Sequence, residues 1–432
     1  MDPLTKNLAL SAPAGPVAWP APGLFGLPEK VLQFGTGVLL RGLPDFQIDQ
    51  ANRQGVFNGR IVVVKSTDGG DATAFERQDN LYTVCVRGVD DGRPVEENVV
   101  CASISRVLSA RSQWAEVLQV AASPDLQVVI SNTTEVGIQL VTEDIQLMPP
   151  ASFPGKLLAV LHARFKAFAG DVRKGLIIVP TELIPDNGRK LEGIVLELAH
   201  RNDLGPAFID WLETANYFCN TLVDRIVPGR PAPAAYAALQ AELGYHDELL
   251  TMAEAYALWA IEGGDHVRAV LSFHTAAPGV VIRPDITLFR ELKLRLLNGT
   301  HTLSYALAHL MGCGTVREAL ENEHLARFIH NLMLADLLPG IPVAVDEKVG
   351  QHFGLHQVVD DRAACFAGLW AHLTPAELVP AALHNAALWG HDLSHLAGFA
   401  DCVTHYLQQL LGEGAPATLA AFFARKTVVS GG

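Results

Sequence analysis

Residues Lys30–Asn52 read KVLQFGTGVLLRGLPDFQIDQAN, in which a short apolar run leads into glycines and then into a segment with helical spacing. This order predicts a strand, a turn and a helix, the opening unit of a doubly wound parallel sheet. Gly35 and Gly37 would let backbone N–H groups approach a pyrophosphate, and Arg41 adds a positive charge nearby. Because Leu40 stands where the dinucleotide fingerprint has its third glycine, an ordinary tight turn stays an open alternative.

Three further β-branched runs predict strands of the same sheet. They are RIVVVK at 60–65, LQVVIS at 126–131 and GLIIVP at 175–180. Each run ends in polar or small residues, and parallel sheets bind ligands at the carboxyl ends of their strands. We therefore expect Thr133, Thr134 and Glu135 to border the same crevice as the glycine turn, with a capped loop as the alternative.

Beyond about residue 190 the sequence changes character, because apolar residues recur at three- and four-residue spacing. This spacing predicts amphipathic helices, among them ELLTMAEAYALWAIEG at 248–263. A segment punctuated by proline and glycine, AAPGVVIRP at 276–284, separates the two parts. We expect an α/β protein with a doubly wound N-terminal domain at 1–282 and a mainly α-helical C-terminal domain at 283–432.

The composition excludes several classes of protein. The chain has 432 residues, 49% of them hydrophobic, yet no apolar run reaches the ~18 to 20 residues of a membrane span. Its 46 acidic and 32 basic residues give a net charge of −14, which repels nucleic acid. The six cysteines form no CxxC pair, and residues 1–23 resemble a loose arm more than a secretory signal. We expect a soluble cytoplasmic protein that binds neither nucleic acid nor membranes; its oligomeric state stays open.

A second constellation lies in KLRLLNGTH, residues 293–301. On a continuous α-helix Asn298 lies about 140° and His301 about 80° around the axis from Lys293, so the three polar groups share one sector. An amine in a dry pocket can exchange a proton with a substrate oxygen, and an amide and an imidazole can hold that oxygen by hydrogen bonds. A helix break at Asn298-Gly299, or a solvated helix face with a core histidine, is the alternative.

Six motifs in order carry a family resemblance. They read FGTGVLLR, SNTTEVG, PTELIPDNG, FCNTLVDRIVPGRP, YALWAIEG and KLRLLNGTH, between about Val31 and about His330. They resemble the mannitol dehydrogenase family of long-chain, metal-independent polyol dehydrogenases, and more narrowly its hexuronate branch. The resemblance implies a Rossmann-like NAD-binding domain, a helical substrate and catalytic domain, and an enzyme. It also implies hydride transfer between a ketohexuronate and a hexonate, such as tagaturonate and altronate.

The resemblance also implies roles for individual residues. Lys293 matches the general acid–base, Asn298 and His301 match groups that bind the reacting oxygen, and Asp224 matches a substrate-contacting aspartate. The expected cofactor residues are Phe34, Gly35, Gly37, Arg41, Asp68, Thr133, Thr134 and Glu135. Asp68 would take the ribose hydroxyls, but Lys65 could favour a 2′-phosphate, so the choice between NAD and NADP stays open.

The chain departs from the family pattern at two places. Residues 181–184 read Thr-Glu-Leu-Ile where polyol-specific members have Cys-Asp-Asn-Ile, so Leu183 replaces the oxyanion-stabilising Asn. This departure argues against a dehydrogenase specific for mannitol and agrees with the hexuronate branch. The later Arg-Phe-x-Asn-Pro motif survives only as Arg362. Arg362 and Lys348 are candidate anchors for a substrate carboxylate, and a surface charge is the alternative for each.

Other functions stay possible on the sequence alone. A mannitol/fructose-type polyol dehydrogenase and a fructuronate reductase are related alternatives, and a non-catalytic dinucleotide-binding sensor is one from another class. His391 and His395 have i, i+4 spacing, but a third ligand is not evident, so we expect no metal. The expected partner is a small sugar acid or polyol.

Overall fold

The computed structural model describes residues 1–12, 15–66, 73–90, 93–133, 137–277 and 279–301, then 304, 308, 313, 315–338 and 341. The chain divides into two compact units, Met1–Ile286 and Thr287–Gly432. Some residues singled out from the sequence lie outside the described part of the chain; they are Asp68, Thr134, Glu135, Lys348, Arg362, His391 and His395.

The first unit contains all the strands that the described residues form. They are β1 (Val17–Ala18), β2 (Glu29–Phe34), β3 (Arg60–Lys65), β4 (Tyr82–Asp90), β5 (Arg93–Cys101), β6 (Ile104–Ser109), β7 (Val128–Ser131), β8 (Ile177–Pro180), β9 (Tyr217–Phe218), β10 (Thr221–Asp224), β11 (Thr251–Glu254), β12 (Leu258–Glu262) and β13 (Val280–Arg283). Its α-helices are α1 (Lys6–Ser11), α2 (Val38–Gly42), α3 (Pro44–Arg53), α4 (Thr73–Arg77), α5 (Trp114–Ala121), α6 (Phe153–Ala167), α7 (Asn187–Arg201), α8 (Pro206–Ala215), α9 (Pro233–Leu243) and α10 (Asp265–Val270).

Six parallel strands form the central sheet, in the order β6-β3-β2-β7-β8-β9. The four runs predicted from the sequence are its strands β2, β3, β7 and β8, so the doubly wound prediction is confirmed. Val31 packs into one apolar cluster, and its neighbour Leu32 packs into another on the opposite face. Because both faces are buried, these strands have continuous apolar runs rather than alternating ones.

Two smaller sheets complete the first unit. One has the order β1-β5-β4-β11, and the other has the order β10-β12-β13. The helix predicted over 248–263 is wrong, because Thr251–Glu254 and Leu258–Glu262 form strands β11 and β12 instead. Thr251 and Ala253 alternate with less buried neighbours, and the two strands pair with β4 and with β10 and β13. The apolar spacing of this segment also fits a helix, so its secondary structure is decided by pairing with strands that are distant in sequence.

The N-terminal arm is held to the first unit rather than loose. The side chain of Leu4 is fully buried, and its N–H donates to the carbonyl oxygen of His246 at 2.8 Å. The N–H of His246 in turn donates to the carbonyl oxygen of Asp2 at 2.8 Å. The expectation of a free arm is therefore wrong for these residues.

Most of the described residues of the second unit are helical, as predicted. They form α11 (Thr287–Glu291), a π-helix (Leu292–Gly299), α12 (Val316–Glu321), α13 (Glu323–Asn331) and a second π-helix (Leu332–Leu337). Across the part of the chain that the structure describes, no helix is both long enough and apolar enough to span a membrane.

Candidate functional site

The turn Gly35–Gly37 joins β2 to α2 and lies against the ends of two neighbouring strands. The N–H of Gly35 donates to the carbonyl oxygen of Val64 at 3.1 Å, and that of Asn132 donates to the carbonyl oxygen of Phe34 at 3.1 Å. Gly35 has φ +124°, where a Cβ would lie only 2.8 Å from the carbonyl oxygen of Asn132. This position therefore requires glycine.

Gly37 differs from Gly35 in its surroundings. It precedes α2 with φ −63°, and a Cβ there would have no atom within 4 Å. Any residue can adopt this conformation. What glycine provides here is the absence of a side chain, which lets a ligand approach the backbone N–H groups.

The glycine turn lies at the point where the strand order of the central sheet reverses. From β2 the chain adds β3 and β6 on one side, and then β7, β8 and β9 on the other. Open α/β sheets bind their ligands outside the carboxyl ends of the strands at such a point. The groups placed there are the turn itself, Asn132 and Thr133.

Arg41 and Phe34 support the turn from inside the protein. Arg41 is buried, and its Nη1 donates to the carbonyl oxygen of Thr36 at 2.9 Å. Its guanidinium lies 5.7 Å from the ring centroid of Phe75 and 5.9 Å from that of Tyr82. The sequence suggested a charge beside the ligand, but the structure shows a charge beneath the turn. The ring of Phe34 is fully buried in the core, so only its backbone borders the turn.

Glu182, which follows β8, fixes the end of β7. Its Oε1 accepts hydrogen bonds from the N–H of Thr133 at 2.9 Å and from the hydroxyl of Thr133 at 3.0 Å. Its Oε2 accepts from the hydroxyl of Ser131 at 3.1 Å. Burial raises the pKa of Glu182. The sequence predicts Thr133 at this edge but assigns no role to Glu182, although an acidic residue two positions after a strand is a usable signal.

Asn187 holds the segment after β8 in place. Its Nδ2 donates to the carbonyl oxygens of Pro180 at 3.2 Å and Glu182 at 3.1 Å, and its Oδ1 accepts from the N–H of Thr221 at 2.9 Å. Leu183, in the same segment, has 48% of its side chain exposed. The surface at this point is therefore apolar where the polyol-specific pattern has an amide.

Asp224 is the last residue of β10 and is buried. It is paired in register with Leu258 of β12. The adjacent Arg225 is also buried, and it donates to the carbonyl oxygens of Glu254 and of Gly42 at the end of α2. Asp224 therefore lies on a strand that is tied to the helix after the glycine turn.

In the second unit Lys293, Asn298 and His301 lie on one continuous helical segment and are half-buried. Residues Leu292–Gly299 form a π-helix, so the angles expected for an α-helix do not apply. A π-helix closes i→i+5 hydrogen bonds, so Lys293 and Asn298, five residues apart, are about one turn apart. The helix continues through Thr300 and His301, and Asn298-Gly299 does not break it.

A buried ion pair spans the first turn of the π-helix. Arg295 Nε lies 2.6 Å from Glu291 Oε2, with 10% and 16% of the two side chains exposed. Glu291 and Arg295 lie two residues before and two residues after Lys293, so their ion pair restrains the backbone at Lys293. π-helical turns occur often at functional sites.

The sheet order and the glycine turn define a nucleotide-binding α/β protein of the Rossmann type. The chain matches the Mannitol dehydrogenase Rossmann domain over residues 29–273 and the Mannitol dehydrogenase C-terminal domain over residues 285–359. The chain belongs to the mannitol dehydrogenase family.

Curated relatives point to one branch of that family. The altronate oxidoreductase of Halalkalibacterium halodurans is 44% identical over 324 residues, which cover 74% of this chain and 63% of that protein. The altronate oxidoreductase of Bacillus subtilis is 42% identical over 335 residues, which cover 77% of this chain and 68% of that protein. The match thus spans about two thirds of the length of these relatives.

Two solved structures share the fold. One is a D-sorbitol dehydrogenase in substrate-free form, with a TM-score of 0.72 and 23% identity over 95% of this chain and 86% of that one. The other is the Pseudomonas fluorescens mannitol 2-dehydrogenase in a ternary complex with NAD and D-mannitol, with a TM-score of 0.68 and 20% identity over 99% of this chain and 97% of that one.

Proposed function

We propose that the chain is a cytoplasmic NAD-dependent oxidoreductase that interconverts a ketohexuronate and a hexonate, of the tagaturonate and altronate type. The observation that carries the proposal is the position of the glycine turn at the strand-order reversal of a Rossmann sheet. The substrate class rests on the relationship to altronate oxidoreductases. Leu183, in place of an amide, is in keeping with that branch.

The residues at the turn fit a dinucleotide. Gly37 leaves its backbone open, and Gly35 allows the turn to pass close to the end of β7. The buried guanidinium of Arg41 supplies a positive charge beneath the same peptides. Gly35, Gly37 and Thr133 would hold the cofactor, which when bound supplies or accepts the hydride.

We assign the proton transfer to Lys293. In reduction its ammonium donates a proton to the oxygen of the reacting carbonyl, and in oxidation the neutral amine takes the hydroxyl proton. Asn298 and His301 would hold that oxygen by hydrogen bonds. The i, i+5 relationship on a π-helix supports a shared role for Lys293 and Asn298.

Substitution of Lys293 tests the assignment. We expect Lys293→Ala to lower kcat by roughly 10² to 10⁴, the usual value of a positioned acid–base group, while the Kd for NADH changes less than about threefold. Lys190→Ala, at an exposed position on α7, is the matched control and keeps full turnover. Normal turnover of Lys293→Ala would refute the assignment.

Substrate tests separate the related activities. Consumption of NADH is followed in parallel with tagaturonate, fructuronate and fructose, and then with NADPH in place of NADH. Turnover of fructose alone would favour a polyol dehydrogenase, and turnover of fructuronate alone would favour a fructuronate reductase. Binding of NADH without turnover of any of the three would favour a sensor.

A further inference from the structure

A buried polar cluster formed by Gln33, Arg41 and Asp45 lies beneath the glycine turn. Gln33 Nε2 is 3.3 Å from the carbonyl oxygen of Gly35 and 3.3 Å from Asp45 Oδ2. Asp45 is fully buried, and 1% of Gln33 and 8% of Arg41 are exposed. The cluster therefore contacts the turn directly and is shielded from water.

The hydrogen bonding of the cluster is incomplete among the residues that the structure describes. There, Gln33 Oε1, Arg41 Nε and Asp45 Oδ1 are buried without a hydrogen-bond partner. Asp45 accepts from the Gln33 amide, a neutral donor, while Arg41 Nη1 donates to the carbonyl oxygen of Thr36. A buried carboxylate needs stronger compensation than one long hydrogen bond from a neutral donor.

A protonated Asp45 fits this arrangement better than an ionised one. Protonation removes the buried negative charge that this single hydrogen bond leaves uncompensated, and Asp45 Oδ2 can still accept from Gln33 Nε2. Burial raises the pKa of Asp45 to about 8, an effect that the Gln33 hydrogen bond and the Arg41 charge only partly oppose. Asp45 therefore changes its charge within the working range of an enzyme assay.

The other titratable groups around Asp45 do not carry free charge. Tyr82 on β4 and Cys101 on β5 are neutral, because burial raises the pKa of each well above its usual value. Asp49, one turn further along α3, forms an ion pair with Arg53 at 2.6 Å.

Two more distant charges act on Arg41, and they oppose each other. Burial lowers the pKa of Arg41; among the charged side chains, those of Asp45 and Asp247 raise it and that of Arg230 lowers it further. When Asp45 is protonated, Arg41 therefore loses the carboxylate that acts on it most strongly.

We propose that Asp45 is a positioning residue that couples dinucleotide binding to a proton. Protonated, it pairs with Gln33 and leaves the charge of Arg41 available to attract an anion above Gly35–Gly37. Ionised, it cancels that charge and weakens anion binding. The inference rests on the proposed function, because it takes the glycine turn to be the pyrophosphate site.

The size of the effect follows from linkage. A bound anion near the turn strengthens proton binding at Asp45, and the proton in turn strengthens anion binding by the same factor. If that factor is about tenfold, the Kd rises about fivefold between pH 7 and pH 9.

Titrations with ADP-ribose across pH 6 to 9.5 test the inference. ADP-ribose carries the pyrophosphate but no nicotinamide, and adenosine, which lacks the pyrophosphate, is the matched probe. For the wild type we expect the Kd for ADP-ribose to rise roughly fivefold between pH 7 and pH 9, and the Kd for adenosine to change less than about twofold. For Asp45→Asn, which keeps the side-chain shape and cannot ionise, we expect less than a twofold change with either probe.

The outcomes separate the two proposals. A wild-type profile that Asp45→Asn reproduces would overturn the role of Asp45 while leaving the nucleotide site intact. No binding of NADH or ADP-ribose at any pH would overturn the proposed function, and the inference with it.

A second measurement needs no variant, so it also applies if Asp45→Asn fails to fold. Calorimetric titration of the wild type with ADP-ribose at pH 8, in two buffers of different ionisation heat, gives the number of protons exchanged. Uptake of a substantial fraction of one proton supports the inference, and zero uptake refutes it.

Discussion

Replacing Gly35 by alanine should destabilise the fold and weaken cofactor binding together. A residue with a Cβ at φ +124° costs about 1–3 kcal/mol in backbone strain. The new methyl group would also lie 2.8 Å from the carbonyl oxygen of Asn132 and 2.9 Å from Leu40 Cδ1. Overpacking of this kind adds about 1–3 kcal/mol. We expect a loss of roughly 2–6 kcal/mol in the free energy of unfolding.

The neighbours of Gly35 cannot easily move away. The N–H of Asn132 is bonded to the carbonyl oxygen of Phe34, and Asn132 Nδ2 donates to the carbonyl oxygen of Thr181 at 3.0 Å. Leu40 is fully buried, so its side chain has little space in which to turn. The strain should therefore displace the turn itself, which would increase the Kd for NADH.

Gly37→Ala is the matched control for stability. At φ −63°, with no atom within 4 Å of the added Cβ, it should change the free energy of unfolding by no more than about 0.5 kcal/mol. The methyl group would nevertheless occupy the space through which a ligand reaches the backbone, so we expect the Kd for NADH to rise at least tenfold.

Urea unfolding and fluorescence titration with NADH measure the two effects separately. Only Gly35→Ala should lose stability, and both variants should lose affinity. Unchanged stability of Gly35→Ala would show that the turn differs from the one described. Unchanged affinity of Gly37→Ala would show that the pyrophosphate binds elsewhere.

Three further results are expected. The buried guanidinium of Arg164 donates to four backbone carbonyl oxygens, so Arg164→Lys should lower the free energy of unfolding by roughly 2–4 kcal/mol, measured by urea unfolding. A loss below about 0.5 kcal/mol would contradict this structural role. The pKa of Asp45 is raised to about 8, so the folded chain keeps a proton that the unfolded chain loses above about pH 4. The stability of the wild type should therefore fall from pH 4 to pH 8. Thermal scans of Asp45→Asn should show a smaller fall over the same range. Glu182→Ala removes the oxygens that accept three hydrogen bonds from Ser131 and Thr133, so the end of β7 should lose its position and kcat/KM should fall at least tenfold in the NADH assay. An unchanged kcat/KM would show that Glu182 has no role at the site.

The central sheet could be predicted because its sequence signal is local. Parallel strands buried on both faces appear as continuous β-branched runs, and RIVVVK at 60–65 forms β3 with the predicted bounds. The turn after KVLQF could be predicted for the same reason, since Gly35 sits at a conformation that only glycine readily adopts. Here local chemistry and tertiary structure agree.

The smaller sheets could not be predicted in this way. In 248–263 the apolar spacing fits a helix as well as two short strands, and the partners that decide between them lie far away in sequence. Thr251 pairs with Val84, and Trp259 pairs with Val223 and Val280. No window around the segment contains that information.

The π-helix shows a related limit. The predicted arrangement of Lys293, Asn298 and His301 assumes α-helical angles, because the sequence carries no clear signal for i→i+5 hydrogen bonding. The π-helical turn brings Lys293 and Asn298 closer to one face than an α-helix would. The grouping of these residues stays a prediction, and the geometry of the helix that carries them could only come from a structure.

The buried charge beneath the turn resolves an apparent conflict between composition and ligand. A chain with a net charge of −14 repels a dinucleotide at long range, so attraction must come from a local charge that salt does not screen. Arg41 meets this requirement because it is buried, stacked near two aromatic rings and bonded to Thr36 inside the turn. A charge in such surroundings acts more strongly over a few ångströms than one on the surface. The same burial makes Asp45, the neighbouring carboxyl group, a means by which the loss of a single proton can remove that attraction.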